Sequence, residues 1–312
     1  MTDVFEISAL RPDEVEQACK LFQCVFGAVI TPAHWHWKYS LGPRLGGINL
    51  VARSTSGQLL AHCGASIFQG ICATQTIAMA QLCDVMVERE SRGGYSVNTI
   101  YPQLLRAMEA ELLQRYSTPF AYGFVGPRPF KLGKRLDHYR AIQPYRTIYT
   151  VPEDTRGWKD LAWTVCSSPW NIQLLDKIWN LRSAHLRSPI VARTGAYLAW
   201  RYRDHPVHTY QLWFIKHLCI NRGWFVTRIM PDGGMCVIDA LLPNAISASK
   251  LVAALYQQNA KLTGSIAPIA SWIGQTDPAH TSDSNVSVEF KLQAWHPEQP
   301  DPKFQPGDTD VY

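Results

Sequence analysis

Several features are missing from this 312-residue chain, and each absence narrows what it can be. Its eight cysteines, at 19, 24, 63, 72, 83, 166, 219 and 236, form no Cys-x-x-Cys pair, and most sit in apolar runs such as Leu82-Cys83-Asp84-Val85. Neither a disulfide framework nor a zinc ribbon is expected, and the thiols read as buried and reduced. No apolar stretch approaches the roughly 18 residues that span a bilayer, and Met1 to Glu6 carry acids without a basic-then-apolar export segment. A cytoplasmic chain with no membrane partner is expected. There is no basic cluster either: 30 Lys and Arg against 25 Asp and Glu leave +5, spread along the sequence. That excess suits an anionic small molecule and excludes nucleic acid as the first reading. His34 and His36 would point apart on a helix and have no third ligand nearby, so no metal site is expected. Hydrophobic residues make up 46%, so the Tyr, Trp and Phe side chains are read as core packing.

The segment from Gln81 to Arg115 is the most informative part that is present. Cys83-Asp84-Val85-Met86-Val87 reads as an apolar strand, Glu88 to Ser91 as a charged corner, and Arg92-Gly93-Gly94-Tyr95-Ser96 as a glycine-rich turn. An amphipathic helix follows, with Val97, Ile100, Tyr101, Leu104, Leu105, Met108 and Leu112 on one face and Pro102 forcing a late start or a kink. Unpaired backbone N–H groups and the positive end of the helix dipole converge at such a turn, which makes it an anion cradle. The natural occupant is the phosphate of a nucleotide or of coenzyme A.

An internal echo organises the rest. Ala33-His34-Trp35-His36-Trp37-Lys38-Tyr39 matches Ala196-Tyr197-Leu198-Ala199-Trp200-Arg201-Tyr202 as Ala-x-x-x-Trp-basic-Tyr, 163 positions on. A weaker match relates Leu82 to Val87 with Met235 to Leu242. Fixed-order self-similarity at this scale predicts a duplicated domain, cut at 1–152 and 153–312. The first copy is expected as strand 4–10, helix 13–26, short helix 31–39, strands 47–53, 59–69 and 76–87, the long helix, strand 120–125, helix 127–136 and a closing strand 145–151. In the second, helices are expected at 170–185, 196–203 and 247–262, with strands at 207–219, 223–230, 235–242, 266–273 and 286–295. Asp308 and Asp310 read as a solvated tail unless that tail docks back. The fold class is a mixed α/β fold, two tandem domains each with a mostly antiparallel twisted sheet flanked by helices.

In its element order the first copy resembles the GCN5-related N-acetyltransferases (GNAT). The doubled Trp-basic-Tyr signature, Tyr197 to Pro206, and the ending Gly307 to Tyr312 resemble the bacterial tandem members. The resemblance implies acetyl-coenzyme A or another acyl-coenzyme A as cofactor. It also implies Val85, Met86 and Val87 as backbone partners of pantetheine, with Arg92, Gly93, Gly94, Tyr95 and Ser96 around the diphosphate. It departs from the family at the turn, where Tyr95 stands near the expected small residue. Gly126 and Gly133 likewise stand where an Asn and an acid Tyr are usual. Tyr122 and Tyr139 are the candidate acids, and Asp84 is the candidate base for a small amine or amino-sugar acceptor. Leu242-Pro243-Asn244-Ala245 offers no glycine turn, so the second copy is expected to shape the acceptor pocket or a dimer surface.

Overall fold

The computed structural model describes residues 4–73, 75–93, 96–117, 119–141, 148–150, 162–264, 269–271, 286–290 and 302–309, with 127, 139, 141, 148–150 and 286–290 described by backbone alone. They divide into two compact units. One holds Met1–Gln143, Leu186–Ala192 and Val286–Pro302, and the other Pro144–His185, Arg193–Asn285 and Lys303–Tyr312.

The chain begins with β1 (Phe5–Ala9), α1 (Val15–Phe26), α2 (Pro32–Tyr39), β2 (Gly46–Ser54), β3 (Leu59–Cys72) and β4 (Gln75–Val87). It continues with α3 (Ile100–Arg115), β5 (Pro119–Val125), α4 (Pro127–Arg135) and β6 (Tyr139–Ala141). Local chemistry sets the boundaries. The Thr31 hydroxyl accepts from the His34 N–H at 3.1 Å and Pro32 fills the first helical position of α2. Gly27, at φ 71°, ends α1 in the left-handed cap that costs glycine nothing. Because α3 starts at Ile100, Pro102 falls in its first turn, where a missing N–H breaks no helical bond.

After β7 (Ile148–Thr150), the second copy repeats this order as β8 (Trp163–Ser168), α5 (Ile172–Ser183), β9 (Ile190–Val191), α6 (Gly195–Leu198) with a π-helical turn at Ala199–Arg203, and β10 (Gln211–His217). β11 (Ile220–Ile229), β12 (Met235–Leu241), α7 (Ala248–Thr263), β13 (Ile269–Ser271) and β14 (Val286–Phe290) complete it. The cap is repeated too, since the Thr194 hydroxyl accepts from the Tyr197 N–H at 3.1 Å.

The first sheet runs β1-β2-β3-β4-β5-β14-β6, with β9 added to β3, and the second runs β7-β13-β12-β11-β10-β8. Both are antiparallel apart from one parallel pair each, β4 with β5 and β12 with β13. Two strands join sheets that their place in sequence does not suggest. The closing strand expected at 145–151 is observed as β7 and belongs to the second sheet, while β14 enters the first, between β5 and β6. Leu60, Ala80, Leu82, Leu104 and Met108 form the core between the first sheet and α3. Val51, Cys83 and Met86 pack on the opposite face with Trp35, Tyr39 and α1.

Gly64 on β3 leaves no room for a Cβ, because the Tyr39 hydroxyl and ring lie against it. Gly64→Ala is expected to displace that ring and cost about 1–3 kcal/mol, as overfilling a packed core does. A urea-unfolding midpoint equal to that of the unchanged chain would show that Tyr39 shifts without penalty.

Candidate active site

The parallel ladder between β4 and β5 is short. It pairs Ala78 with Pro119, Met79 with Phe120, Ala80 with Ala121 and Gln81 with Tyr122, and then stops, although β4 runs on to Val87 and β5 to Val125. Beyond that point β5 pairs with β14 on its other side. From Leu82 onward β4 therefore parts from β5 while still pairing with β3, and one backbone edge of 82–87 faces the resulting gap.

A bulge sits at this parting. His62 pairs with Met86 and Gly64 with Cys83, which leaves Asp84 and Val85 opposite Cys63 alone. Asp84 has φ 50°, a left-handed conformation that costs a non-glycine residue on the order of 1 kcal/mol and needs support from its surroundings. The extra residue breaks strict alternation. Asp84 and Met86 lie on the α2 side and Val85 and Val87 toward α3, but Cys83 joins Met86 instead of Val85.

The support comes from α2 and β3. Lys38 Nζ donates to Asp84 Oδ1 at 2.8 Å, and the Tyr39 hydroxyl donates to Oδ2 at 2.6 Å. Burial pushes the Asp84 pKa up, but the Lys38 ammonium and the Tyr39 hydrogen bond outweigh it and hold the carboxyl below its ordinary value. Asp84 is thus ionised, with both oxygens engaged. His62 lies fully buried beside Trp35 and Tyr39, with Nδ1 2.9 Å from the Asp84 carbonyl oxygen and Nε2 3.0 Å from the Asn49 carboxamide. Burial lowers its pKa to about 4, so the ring is neutral. A neutral ring that donates from Nδ1 accepts at Nε2, and turning over the Asn49 carboxamide, whose Oδ1 is the atom placed at 3.0 Å, brings its NH2 there as the donor.

The glycine turn is described in part. The Glu88 N–H donates to the Leu60 carbonyl at 2.8 Å and the Gln58 side chain to the Glu88 carboxylate at 3.0 Å. Arg92 folds back so that Nε donates to the Val87 carbonyl at 3.0 Å. A Cβ on Gly93 would strike Thr99, and Gly94 and Tyr95 lie outside the described residues. The Ser96 carbonyl accepts from Thr99 Oγ1 at 2.8 Å, and that hydroxyl does not cap α3. Tyr122 ends the β4–β5 ladder and is buried between Phe120 and Phe124. Of Tyr139 the backbone alone is described, pairing with Phe290.

The second copy keeps part of this plan and closes the rest. Tyr202 donates to Asp239 Oδ2 at 2.8 Å, repeating the Tyr39–Asp84 pair at a second register shift, where Val226 faces Asp239 and Thr227 faces Val237. Arg193 joins Asp239 at 2.9 Å and Asp308 at 2.6 Å. Asp308 is thus buried in a docked 3-10 turn (Pro306–Asp308) and not on a solvated tail. After β12, Arg182 Nη2 reaches the Leu242 carbonyl at 2.9 Å and Asn244 at 2.8 Å, so a guanidinium fills the corner where an anion would sit. Lys38, Tyr39, Asn49 and His62 were missed as site residues. The doubled Trp-basic-Tyr motif was the one signal for Lys38 and Tyr39, with none for Asn49 or His62, and it gave no hint of the strand aspartates it meets.

A cavity of about 420 Å³ lies elsewhere on the first unit, between β1, β2 and α3. Its only charged lining residues are Glu111 and Arg115, which pair with each other at 2.6 Å, so it offers less chemistry than the parting of the strands. Among the described residues no group of three His, Cys, Asp or Glu could hold a metal ion, none of the eight cysteines is in a disulfide, and no helix is long and apolar enough to cross a membrane.

His62 gives the site a pH signature. The unfolded chain protonates this ring near pH 6.5 and the folded chain only near pH 4, so stability is lost as pH falls between those values, by about 3 kcal/mol. The Asp84 contribution fades only below its ordinary value of 3.8, outside that window. His62→Gln should remove the His62 share of the slope in unfolding free energy between pH 6.5 and 4, leaving the smaller share of His138 and His208, whose pKa values burial also lowers. An unchanged slope would assign the effect to another group.

No protein-family model and no curated protein matches the chain. Solved structures do. A probable N-acyltransferase of Enterococcus faecalis superposes with a TM-score of 0.70 at 16% identity, over 93% of this chain and 74% of that one. A GCN5-related N-acetyltransferase of Kribbella flavida gives 0.66 at 14%, over 92% and 71%. A tandem GNAT protein of the clavulanic acid biosynthesis pathway gives 0.58 at 11%, over 92% and 98%. At such identities the likeness is one of architecture. Together with the parted strands and the repeated element order, it shows that this chain has the GCN5-related N-acetyltransferase fold, built twice in tandem.

Proposed function

We propose that the chain is an acyl-coenzyme-A-dependent N-acyltransferase that transfers its acyl group directly to a small amine, with the chemistry confined to the first copy. The parting of β4 from β5 at Gln81 and Tyr122, beside a bulge and leading to a glycine turn before an uncapped helix, carries this reading. These residues suit the cofactor. The edge of Val85, Met86 and Val87, where the Val87 carbonyl already accepts from Arg92, would offer strand-like hydrogen bonds to a pantetheine arm, and the diphosphate is assigned to Gly93, Gly94, Tyr95, Ser96 and the first N–H groups of α3 beside Arg92. The cofactor supplies an activated acyl thioester.

In the transfer an N–C bond forms as the C–S bond breaks. The amine gives up one proton and the departing sulfur takes one. The Val85 N–H stands at the bulge, where it can polarise the acyl carbonyl. With both oxygens engaged, Asp84 is assigned to hold that bulge, and the acceptor is taken as an amine that enters neutral. Alternation along β5 puts Tyr122 opposite Ala121 and Val125, which pack toward α3, and so on the Asp84 side, where it is the phenol assigned to the leaving sulfur. The second copy, with its corner filled by Arg182, contributes no acyl site.

A second reading, a catalytically silent tandem module that binds a ligand, draws on the engaged Asp84 and on Gly126 and Gly133 in place of the family's Asn and Tyr. Turnover of acetyl-coenzyme A with a panel of amino sugars, amino acids and polyamines separates the two, and steady release of coenzyme A rejects the silent module.

Isothermal titration of the full chain with acetyl-coenzyme A should give saturable heat, and its absence at millimolar ligand would remove the transferase reading. Gly93→Val, whose side chain collides with Thr99 at the mouth of α3, is expected to weaken binding about tenfold or more, roughly 1.4 kcal/mol. Equal affinity would place the diphosphate elsewhere.

A further inference from the structure

We infer that His62, seated on Asn49, is the residue that aims the Val85 N–H into the gap between β4 and β5, a positioning role that the second copy has lost. The inference rests on the acyl-coenzyme A reading of this site.

The geometry follows from one peptide plane. His62 Nδ1 lies 2.9 Å from the Asp84 carbonyl oxygen, and His62 belongs to β3. In a planar trans peptide the C=O of one residue and the N–H of the next point in opposite directions. All described peptide bonds here are trans. Drawing the Asp84 carbonyl toward the His62 ring, which lies over β3 against Trp35 and Tyr39, therefore turns the Val85 N–H away from that ring and off β3, to the side where the β5 ladder has already ended at Gln81 and Tyr122. In a regular strand the flanking ladder would fix this peptide. At a bulge with φ 50° the ladder is interrupted, and a side chain does so instead.

Lys38 and Tyr39 hold the Asp84 carboxylate and do not bond its peptide carbonyl. His62 supplies the missing constraint. Asn49 in turn fixes the imidazole through Nε2 at 3.0 Å, so the ring can neither flip nor tilt without losing a buried hydrogen bond.

The internal duplicate provides a comparison within one chain. Trp224 pairs with Leu241, two residues past Asp239, as His62 pairs with Met86, two past Asp84. Leu212 pairs with Val226 as Asn49 pairs with Gly64. The Tyr–Asp pair is common to both copies, whereas the Asn–His relay is replaced by Leu and Trp in the copy whose corner Arg182 fills. Asp84 alone of the two aspartates has a positive φ, so the peptide that the relay holds is turned in this way in the first copy and not in the second.

The test uses the full chain and acetyl-coenzyme A labelled with carbon-13 at the thioester carbonyl. In the unchanged protein the bound carbonyl stretch should move to lower frequency than in water, reporting the hydrogen bond from Val85. His62→Phe keeps a buried ring, and Asn49→Leu installs the residue of the second copy. Both are expected to bind the cofactor within about twofold of the unchanged affinity and to lose most of the frequency shift. With any amine found to turn over, kcat should fall roughly 10- to 100-fold while KM for acetyl-coenzyme A holds. Asn49→Leu keeps the test decisive if His62→Phe does not fold. A full frequency shift in the folded variant, or a bound thioester with no shift in the unchanged protein, overturns this inference alone. No binding to the unchanged protein overturns the underlying reading with it.

Discussion

The ion pair between Lys38 and Asp84, completed by the Tyr39 hydroxyl, is the constraint on which the first copy's geometry depends. A carboxylate in the middle of an apolar strand is costly to desolvate, and this one also sits in a backbone conformation that side chains avoid. Neither cost is met locally. An ammonium and a phenol on one short helix meet them together, and they fix where that helix lies against the strand. Removing one partner of such a buried pair typically costs about 3–5 kcal/mol, because the other is left uncompensated. The bulge is thus a consequence of tertiary contacts, and the parting of β4 from β5 begins beside it.

The two copies show which parts of this arrangement belong to the fold and which to the site. Both open their short helix with a threonine cap, place a tyrosine eight residues on, and hydrogen-bond its hydroxyl to an aspartate at a register shift. That much builds the architecture. Around it the residues have diverged. Lys38 pairs with Asp84, while its counterpart Arg201 holds the carbonyls of Gly307 and Thr309 at 2.9 and 2.6 Å, and the aspartate's cation becomes Arg193. The same framework carries the glycine-rich sequence Arg92 to Ser96 after its strand in one copy and a corner filled by Arg182 in the other.

Much of the fold could be read from the residue order because it rests on short-range rules. Period-two and period-3.6 patterns located most helices and strands to within a few residues, and Pro102 correctly forced a late start on α3. The Trp-basic-Tyr echo disclosed the duplication. The candidate site was legible only in outline. Asp84 was singled out for its chemistry, yet whether its oxygens were available depended on Lys38 and Tyr39, more than 40 positions away. His62 gave no signal, since a histidine in an apolar strand looks the same whether it fills space or holds a carbonyl. Asp308 was misread as solvated because nothing in a polar tail announces that Arg193 awaits it.

By itself, the sequence determined the elements, their repeated order, the glycine turn and the lack of staples, because each follows from interactions within a few residues or from composition. Tertiary structure alone decided the exchange of β7 and β14 between sheets, the end of the β4–β5 ladder at Gln81 and Tyr122, and the protonation of Asp84 and His62. Strand partnership depends on which edges meet in space, and a pKa on which charges and how much water surround the group. Both are properties of distances that the linear order does not contain.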